Sequence, residues 1–370
     1  MSLENTQNNI TSSPGEIVKF PMEVNDNNPE LSYEVNNDFN QYLDDEYGLI
    51  IISGSQFQSS KILYDLENET YRIALQEFRA QEIENFKETV FDEFPTPIAY
   101  NFYRFERGYD NENQRRDFLR DTWESIIFLI YAIVVGEFRC SKLSIDASTK
   151  IKMQEVLSDS LDAKLSIVAK LLQLALDQGI QLSSLKVTSL DLIEKLRELN
   201  RVRNGFSHSG AMSEEQARKF ILANQGDVLS VLQDCKNLNT LKLLRFNKNE
   251  GKASHIRCEV FNGHSMNRTY ETFLLTSEQV TKAFDYLDQD NILINIDNHI
   301  FSISPFFHFK LNHSGHQTRL CCYKKKKGEH PEQKFIYEVI GDALEIDFDA
   351  ANFSSVVDEI RSLLPDLSRR

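Results

Sequence analysis

The chain has 370 residues, of which 41% are hydrophobic and 11% aromatic, a composition typical of folded rather than disordered proteins. The length is enough for two or three domains. A formal net charge of −15 excludes a protein that coats nucleic acid non-specifically, because such binding needs clustered lysine and arginine. It does not exclude an enzyme that acts on RNA at one local basic site.

The cysteines and the apolar segments indicate a cytoplasmic protein. No C-x-x-C pair occurs among the five cysteines, so reduced thiols are expected at Cys140, Cys235, Cys258, Cys321 and Cys322. The acidic, polar N-terminus does not have the pattern of a secretory signal. The longest apolar run, Ile126–Gly136, is about half of the ~20 residues that a bilayer span requires. We therefore expect a buried helix there and no membrane partner.

The first 94 residues differ in composition from the rest. Residues 1–50 contain ten acidic side chains, one basic side chain and nine asparagines, which predicts a weakly ordered arm or a few strands held by a partner. Short strands are predicted at Gly48–Ser53 and Lys61–Leu66, and a charged linking helix from Glu67 to Phe91. Residues 1–94 are thus predicted to be an acidic N-terminal arm with short strands and a linking helix, an arm that could gate a site elsewhere.

Residues 95–236 are predicted to form a helical bundle. After Pro95 and Pro97, which suit a helix entry, no proline follows in this segment. Leucines and other apolar residues recur at helical spacing, and Gly179 is placed to end one helix. The predicted helices are Pro97–Arg107, Arg115–Arg139, Leu161–Gln178, Leu190–Asn204 and Glu214–Asp234, with a shorter piece at Thr149–Leu157.

Residues 240–370 are predicted to form a β-rich domain. Their β-branched and aromatic runs are separated by Gly, Asn and Lys turns, and helices are expected at Glu278–Leu287 and Ser354–Leu364. The predicted strands are Leu241–Phe246, His255–Phe261, Tyr270–Leu275, Asn291–Ile296, His299–Phe309, Thr318–Tyr323 and Lys334–Ile340. The predicted fold class is therefore α+β and multidomain, with a central all-α bundle followed by a mostly-β or α+β domain.

One turn of the bundle combines an arginine and a histidine. The helix before it carries an apolar stripe at steps of four and three residues, made of Leu192, Leu196, Leu199, Arg203 and Phe206. Arg203 therefore shares the buried face, where a charge is unfavourable unless it is paired or lies in a groove. A break at Gly205 would let His208 return toward Arg203. Ser213 and Gln216 predict a capping box that opens the next helix.

This pair has a use in metal-free RNA cleavage. The reaction needs a base for the 2′-hydroxyl, an acid for the 5′-oxygen and a cation at the phosphorane. Histidine side chains in general titrate near neutrality, so a histidine at position 208 can serve as base or acid, and the planar guanidinium of Arg203 suits phosphate. One motif supplies one histidine, so a two-fold homodimer would bring both proton-transfer groups together.

The segment "RNGFSH", followed by Ser-Gly at the end of the penultimate bundle helix, resembles the HEPN domain family over residues 95–236. The resemblance implies a metal-independent, dimeric endoribonuclease of toxin or anti-phage defence systems, with no cofactor. The implied products carry a 2′,3′-cyclic phosphate and a 5′-hydroxyl. It also implies that Arg203 binds the scissile phosphate, that Asn204 orients the pair and that His208 transfers protons. A regulatory or antitoxin partner would restrain such an enzyme.

Three alternatives stay open. In one, Arg203 and His208 only cap carbonyls at a helix end, in a catalytically silent adaptor or an RNA-binding or sensor subunit. In another, the C-terminal domain senses a small molecule. Glu124 could pair with Arg203 across the bundle, or serve as a structural carboxylate.

Further RNA contacts are expected at a small set of basic residues, with a solvated hairpin loop at a sheet edge as the alternative for the lysines. These residues are Arg201, Lys324, Lys325, Lys326 and Lys327. A zinc site made of His308, His313, His316, Cys321 and Cys322 is disfavoured, because adjacent cysteines on a strand face opposite ways. No metal ligand is predicted.

Overall fold

The computed structural model describes residues 33, 36–48, 50–52, 55–145, 149–206, 212–267, 269–287, 290–311, 318–328, 332–342 and 344–364, with backbone only at 50–52, 55–57, 203–206 and 253. The chain divides into two compact units, Met1–Lys87 and Glu88–Arg370. Helices dominate the first part of the chain and antiparallel strands the last part. The fold is therefore α+β, as the sequence predicted.

The first unit is built around aromatic side chains. Its elements are α1 (Asn37–Tyr47), β1 (Ile50–Ile52), β2 (Ser55–Phe57), α2 (Ser59–Leu66) and the start of α3 (Asn68–Glu93). β1 and β2 form an antiparallel pair. Phe39 of α1, Tyr64 of α2 and Tyr71 of α3 meet in one buried cluster. Its T-shaped ring contacts at 5.3–5.5 Å between centroids hold the three helices together.

Two sequence predictions for this unit are wrong. The expected strand Lys61–Leu66 is part of α2, because Ser59, Ser60, Leu63 and Tyr64 are buried at the four-residue spacing of a helix. Helix α1 was not predicted, although the Asn36 side chain caps it by accepting from two backbone N–H groups. β1 lies inside the predicted strand Gly48–Ser53, and the linking helix is confirmed as α3. The arm at residues 1–32 lies outside the described residues.

The predicted bundle helices are confirmed, with ends that shift by a few residues. They are α4 (Thr96–Arg107), α5 (Glu112–Cys140), α6 (Met153–Val156), α7 (Leu161–Asp177), α8 (Leu190–Phe206) and α9 (Glu214–Asp234). Helix α5 is central and packs against α4, α7 and α9, while α8 packs against α7 and α9. Gly179, at φ +65°, follows the end of α7 as expected.

The apolar run Ile126–Gly136 is the buried centre of α5. Every residue in it is buried except Phe128, which is half-buried. Within the described ranges, no helix combines the length and the apolar character needed to cross a membrane. The prediction of a buried helix is confirmed.

Two antiparallel sheets follow the bundle. The five-stranded sheet has the order β5-β4-β3-β6-β7, and the four-stranded sheet has the order β11-β10-β9-β8. The strands of the first are β3 (Lys242–Glu250), β4 (Lys252–Val260), β5 (Thr269–Leu274), β6 (Ile292–Ile296) and β7 (His299–Ser302). Those of the second are β8 (Phe307–Leu311), β9 (Thr318–Lys327), β10 (Lys334–Val339) and β11 (Glu345–Asp349). Helices α10 (Ser277–Ala283) and α11 (Ser354–Leu363) confirm the two predicted there.

The predicted strand His299–Phe309 is two strands in different sheets. β7 ends at Ser302 and β8 begins at Phe307, with Pro305 between them. Proline has no backbone N–H to donate, which favours the break. The prediction also missed β11, although its sequence alternates exposed acidic residues with the half-buried Ile346 and Phe348 in the pattern of a strand.

The five-stranded sheet docks directly on the bundle. Helix α5 packs against β7, and a Cβ atom added at Gly136 would lie 2.7 Å from the Ser302 carbonyl oxygen. Arg139 donates from Nη2 to the same oxygen at 3.0 Å. At the start of the bundle, Asn262 donates from Nδ2 to the Glu93 carbonyl at 2.7 Å. These contacts place bundle and sheets in the single unit Glu88–Arg370.

Candidate functional site

The Arg203–His208 turn lies at the end of α8. The helix continues two residues past the predicted end, to Phe206, so that Arg203 and Asn204 belong to its last turn. The break expected at Gly205 is therefore wrong, because Gly205 is itself helical. Leu192, Leu196 and Leu199 are buried as the stripe predicts. The side chains of residues 203–206 and the whole of 207–211, with His208, lie outside the described residues. The approach of Arg203 to His208 stays a prediction.

The start of α9 fixes where this turn leads. Ser213 and Gln216 form the predicted capping box, with Ser213 Oγ accepting from Gln216 N–H at 3.3 Å and Gln216 Oε1 from Ser213 N–H at 2.9 Å. Glu214 accepts from the backbone N–H of Glu112 at 2.9 Å and from Asn113 Nδ2 at 3.2 Å. The α8–α9 connection therefore leads to the end of the bundle at which α5 begins.

The other predicted RNA contacts are spread over the surface. Arg201 is exposed and forms an ion pair with Glu198. Lys324 pairs with Glu338 at 2.5 Å, while Lys325, Lys326 and Lys327 are exposed. All four lysines lie in β9 and not in a loop, but they lie beyond the residues of β9 that pair with β8, so among the described strands this end of β9 is a sheet edge. The structure does not bring them together with Arg201 into one described site.

The residues considered for zinc have other surroundings. The His308 ring contacts Phe348, Phe353 and Tyr337, and burial lowers the pKa of this histidine to about 4. Burial also raises the pKa of the Cys321 thiol to about 12, far from the thiolate that zinc needs. No cluster of potential metal ligands occurs in the part of the chain that the structure describes. His313 and His316 lie outside it.

A polar cavity of about 330 Å³, not predicted from the sequence, opens between the bundle and the four-stranded sheet. Its walls come from α4, α5, β8, β9, β10 and the turn after β10. The side chains that give it its chemistry are Tyr100, Arg104, Phe118, Asp121, Lys324 and Glu338. Helical spacing places Phe118 and Asp121 on the face of α5 opposite Trp123, which packs toward Phe220 of α9.

Asp121 is the most perturbed carboxylate of this cavity. Its side chain is 36% exposed, toward the cavity, and pairs with Arg120 at 2.8 Å. Burial on the other sides of this carboxyl group is the main effect that raises its pKa. Glu124 and Glu338 raise the pKa further and Arg120 lowers it, so that the pKa is about 6. Perturbed carboxylates in clefts are frequent at functional sites.

Arg104 faces the same cavity from α4. Its guanidinium lies over the Phe118 ring at 4.8 Å from the centroid. Its Nε atom is buried and has no hydrogen-bond partner among the described residues. A donor in this state is unfavourable unless an acceptor reaches it.

A second polar cluster joins the other end of α5 to β7. Glu137 is 2% exposed and accepts from the backbone N–H groups of Ser183 at 2.6 Å and Ser184 at 2.9 Å. His299 Nδ1 lies 3.5 Å from Glu137 Oε1 and 2.9 Å from Ser183 Oγ. A serine–histidine–carboxylate relay would need the serine and the acid on different ring nitrogens. Both are on Nδ1 here, so this cluster is a structural link between helix and strand.

Sequence reasoning missed the cavity and this link because both join residues far apart in the chain. One usable signal exists on α5, where Gln114, Asp121 and Ser125 place polar groups, together with the Phe118 ring, at helical spacing on one face. Nothing near Lys324 or His299 indicates which helix each would meet.

Comparison with protein-family models, with curated proteins and with solved structures gave no match for this chain.

Proposed function

We propose that the protein is a metal-independent endoribonuclease of the HEPN type that acts as a toxin or anti-phage effector. The observation that carries the proposal is the placement of the motif. Arg203 and Asn204 lie in the last turn of α8, and the capping box at Ser213 opens α9 beside the start of α5. Leu192, Leu196 and Leu199 are buried, and in the sequence Arg203 is the next member of the stripe that they form.

The chemistry follows from these residue types. The 2′-hydroxyl attacks the adjacent phosphorus, a base takes its proton, and an acid protonates the departing 5′-oxygen. His208 supplies one proton-transfer group, and the second His208 of a two-fold dimer supplies the other. Arg203 stabilises the charge on the phosphorane, and Asn204 orients the pair. The products carry a 2′,3′-cyclic phosphate and a 5′-hydroxyl, with cytoplasmic RNA as substrate.

The direct test is incubation of the purified protein with total RNA in EDTA. The wild type should give fragments with cyclic-phosphate ends, and Arg203→Ala or His208→Ala should reduce the rate by about 100-fold or more. Arg197→Ala is the matched control, since Arg197 lies on α8 in an ion pair with Glu194. It should cleave like the wild type. Equal cleavage by wild type and His208→Ala would overturn the site assignment.

Expression in a host distinguishes the effector from the silent adaptor. An active nuclease should slow growth, and both motif substitutions should relieve the effect while Arg197→Ala does not. An adaptor would be harmless in every version. Light scattering of the purified chain tests the dimer, and a monomer that still cleaves RNA would contradict the composite site.

A further inference from the structure

The cavity between the bundle and the four-stranded sheet has an excess of negative charge. Four acidic and two basic side chains line it, namely Asp121, Glu124, Glu338, Asp342, Arg104 and Lys324. Lys324 is engaged by Glu338 at 2.5 Å. A molecule that enters this space meets more carboxylates than cations.

Asp121 is only partly neutralised by its neighbour. Arg120 reaches Asp121 at 2.8 Å but also contacts Asp117 at 3.2 Å, so that its charge is shared between carboxylates. Because charge attraction is stronger in a partly desolvated cavity than in water, a further cation beside Asp121 would be stabilised. Asp121 is therefore the carboxylate of the cavity beside which we expect a cation to bind.

The rest of the lining suits an organic rather than an inorganic cation. Tyr100, Phe118 and Phe128 add aromatic rings, whose faces attract amine and guanidinium groups. The described carboxylates are not grouped closely enough to hold a metal ion.

We propose that this cavity is a binding site for a small organic cation, an alkylamine or guanidinium compound, whose charged group pairs with Asp121. Its aromatic walls enclose the apolar part of the ligand. Both the bundle and the sheet contribute walls, so the ligand joins two parts of one unit. The proposal is independent of the nuclease proposal, because it concerns binding and not cleavage.

The pH dependence of binding follows from the groups around Asp121. These are Arg120 and Glu124 on α5, Arg104 on α4, Lys324 on β9, Glu338 on β10 and Asp342 after β10. With its pKa near 6, Asp121 is ionised at pH 8 and largely neutral at pH 5. Since only the ionised form attracts a cation strongly, affinity should fall by about tenfold between these pH values.

The experiment is calorimetric titration of the full chain with agmatine, spermidine and L-arginine at constant ionic strength. L-citrulline is the neutral match for L-arginine. At least one cation should bind at pH 8, more tightly than L-citrulline, and about tenfold more weakly at pH 5. Asp121→Asn should weaken this binding by about tenfold at pH 8 and remove its pH dependence. Glu194→Gln, an exposed carboxylate on α8, should leave it unchanged.

Three results would overturn the proposal: no binding by any of the three cations, equal binding of L-arginine and L-citrulline, or unaltered binding by a folded Asp121→Asn. Thermal unfolding establishes that this variant is folded. If it is not, the pH profile of the wild type decides, and a flat profile would overturn the proposal. The RNA cleavage assay does not enter this test, so the two proposals can fail separately.

Discussion

Asp121 and Glu137 lie on the same helix, about four turns apart, and their pKa values shift in opposite directions. Asp121 is the more exposed of the two, yet its pKa is raised. Glu137 is almost fully buried, and burial alone would raise its pKa, but hydrogen bonds with His299, Ser184 and Ser183 outweigh that effect and lower it. Burial raises the pKa of both carboxylates, and the hydrogen bonds that each one accepts decide whether that rise is reversed.

The two carboxylates therefore have opposite effects on stability. A lowered folded pKa makes Glu137 stabilising above the unfolded value near 4.5, and this contribution is lost as the pH falls below it. A raised folded pKa makes Asp121 unfavourable at neutral pH, because the stability of its neutral form is lost as the pH rises through about 6. Helix α5 thus carries one carboxylate that stabilises the fold at neutral pH, Glu137, and one that destabilises it, Asp121.

The largest expected effect is that of Glu137→Ala. It leaves the N–H groups of Ser183 and Ser184 without their acceptor, which should reduce the free energy of unfolding by about 3 kcal/mol at pH 7. Denaturant unfolding measures the change. Glu137→Gln keeps one acceptor and should lose less, and its difference from wild type should close below about pH 4.5. A constant difference down to pH 3 would contradict the role given to the charge.

Gly136→Ala tests how closely helix and sheet approach at the Glu137 end of α5. The added Cβ atom would meet the Ser302 carbonyl at 2.7 Å, so α5 and β7 must separate. We expect a loss of about 1–3 kcal/mol in the free energy of unfolding. Gly226→Ala in α9 is the control, because nothing lies within 4 Å of its added Cβ atom. That change should be neutral or stabilising through helix propensity.

His299→Ala should have a smaller effect than either. Glu137 keeps both backbone donors, and the histidine is one-third exposed, so the loss should be about 1 kcal/mol. A double-mutant cycle with Glu137→Gln measures the coupling. A coupling near zero would show that the 3.5 Å contact contributes nothing.

Asp121→Asn should have the smallest effect on stability, and in the opposite direction. Removal of the carboxylate should raise the free energy of unfolding by less than about 1 kcal/mol at pH 8, a value reduced for the partial exposure of the side chain. The gain should shrink as the pH falls below about 6 and disappear near pH 3, below the unfolded pKa of 3.8, where the carboxyl is neutral in both the folded and the unfolded chain. Stability curves at pH 8 and about pH 3 provide the test, and destabilisation at pH 8 would reverse the comparison with Glu137.

The sequence predicted the parts of this fold that depend on local periodicity. The ends of α7 and α9 were correct within one residue because Ser160, Gly179 and the Ser213 capping box mark them. Six of the eight residues of α2, Lys61–Leu66, were mistaken for a strand, since so short an apolar run does not distinguish the helical period from the strand period.

The sites divide in the same way. The residues of the Arg203–His208 motif are close together in the chain, so the motif was recognised from the sequence. The cavity needs Arg104 and Asp121 from two consecutive helices together with Lys324, about 200 residues later in the chain, and the Glu137 link needs a strand more than 150 residues away. Such pairings depend on how the helices and sheets dock, which periodicity does not specify.

The tight packing of Gly136 against Ser302 has a consequence for dissection of the chain. A fragment that ends after α9 would lack β7, so the face of α5 around Gly136 and Arg139 would be in contact with water. We therefore expect that the bundle with the Arg203 motif does not fold as an independent domain. Its shape depends on strands made by the last third of the polypeptide, and shortening the chain would remove part of its interior.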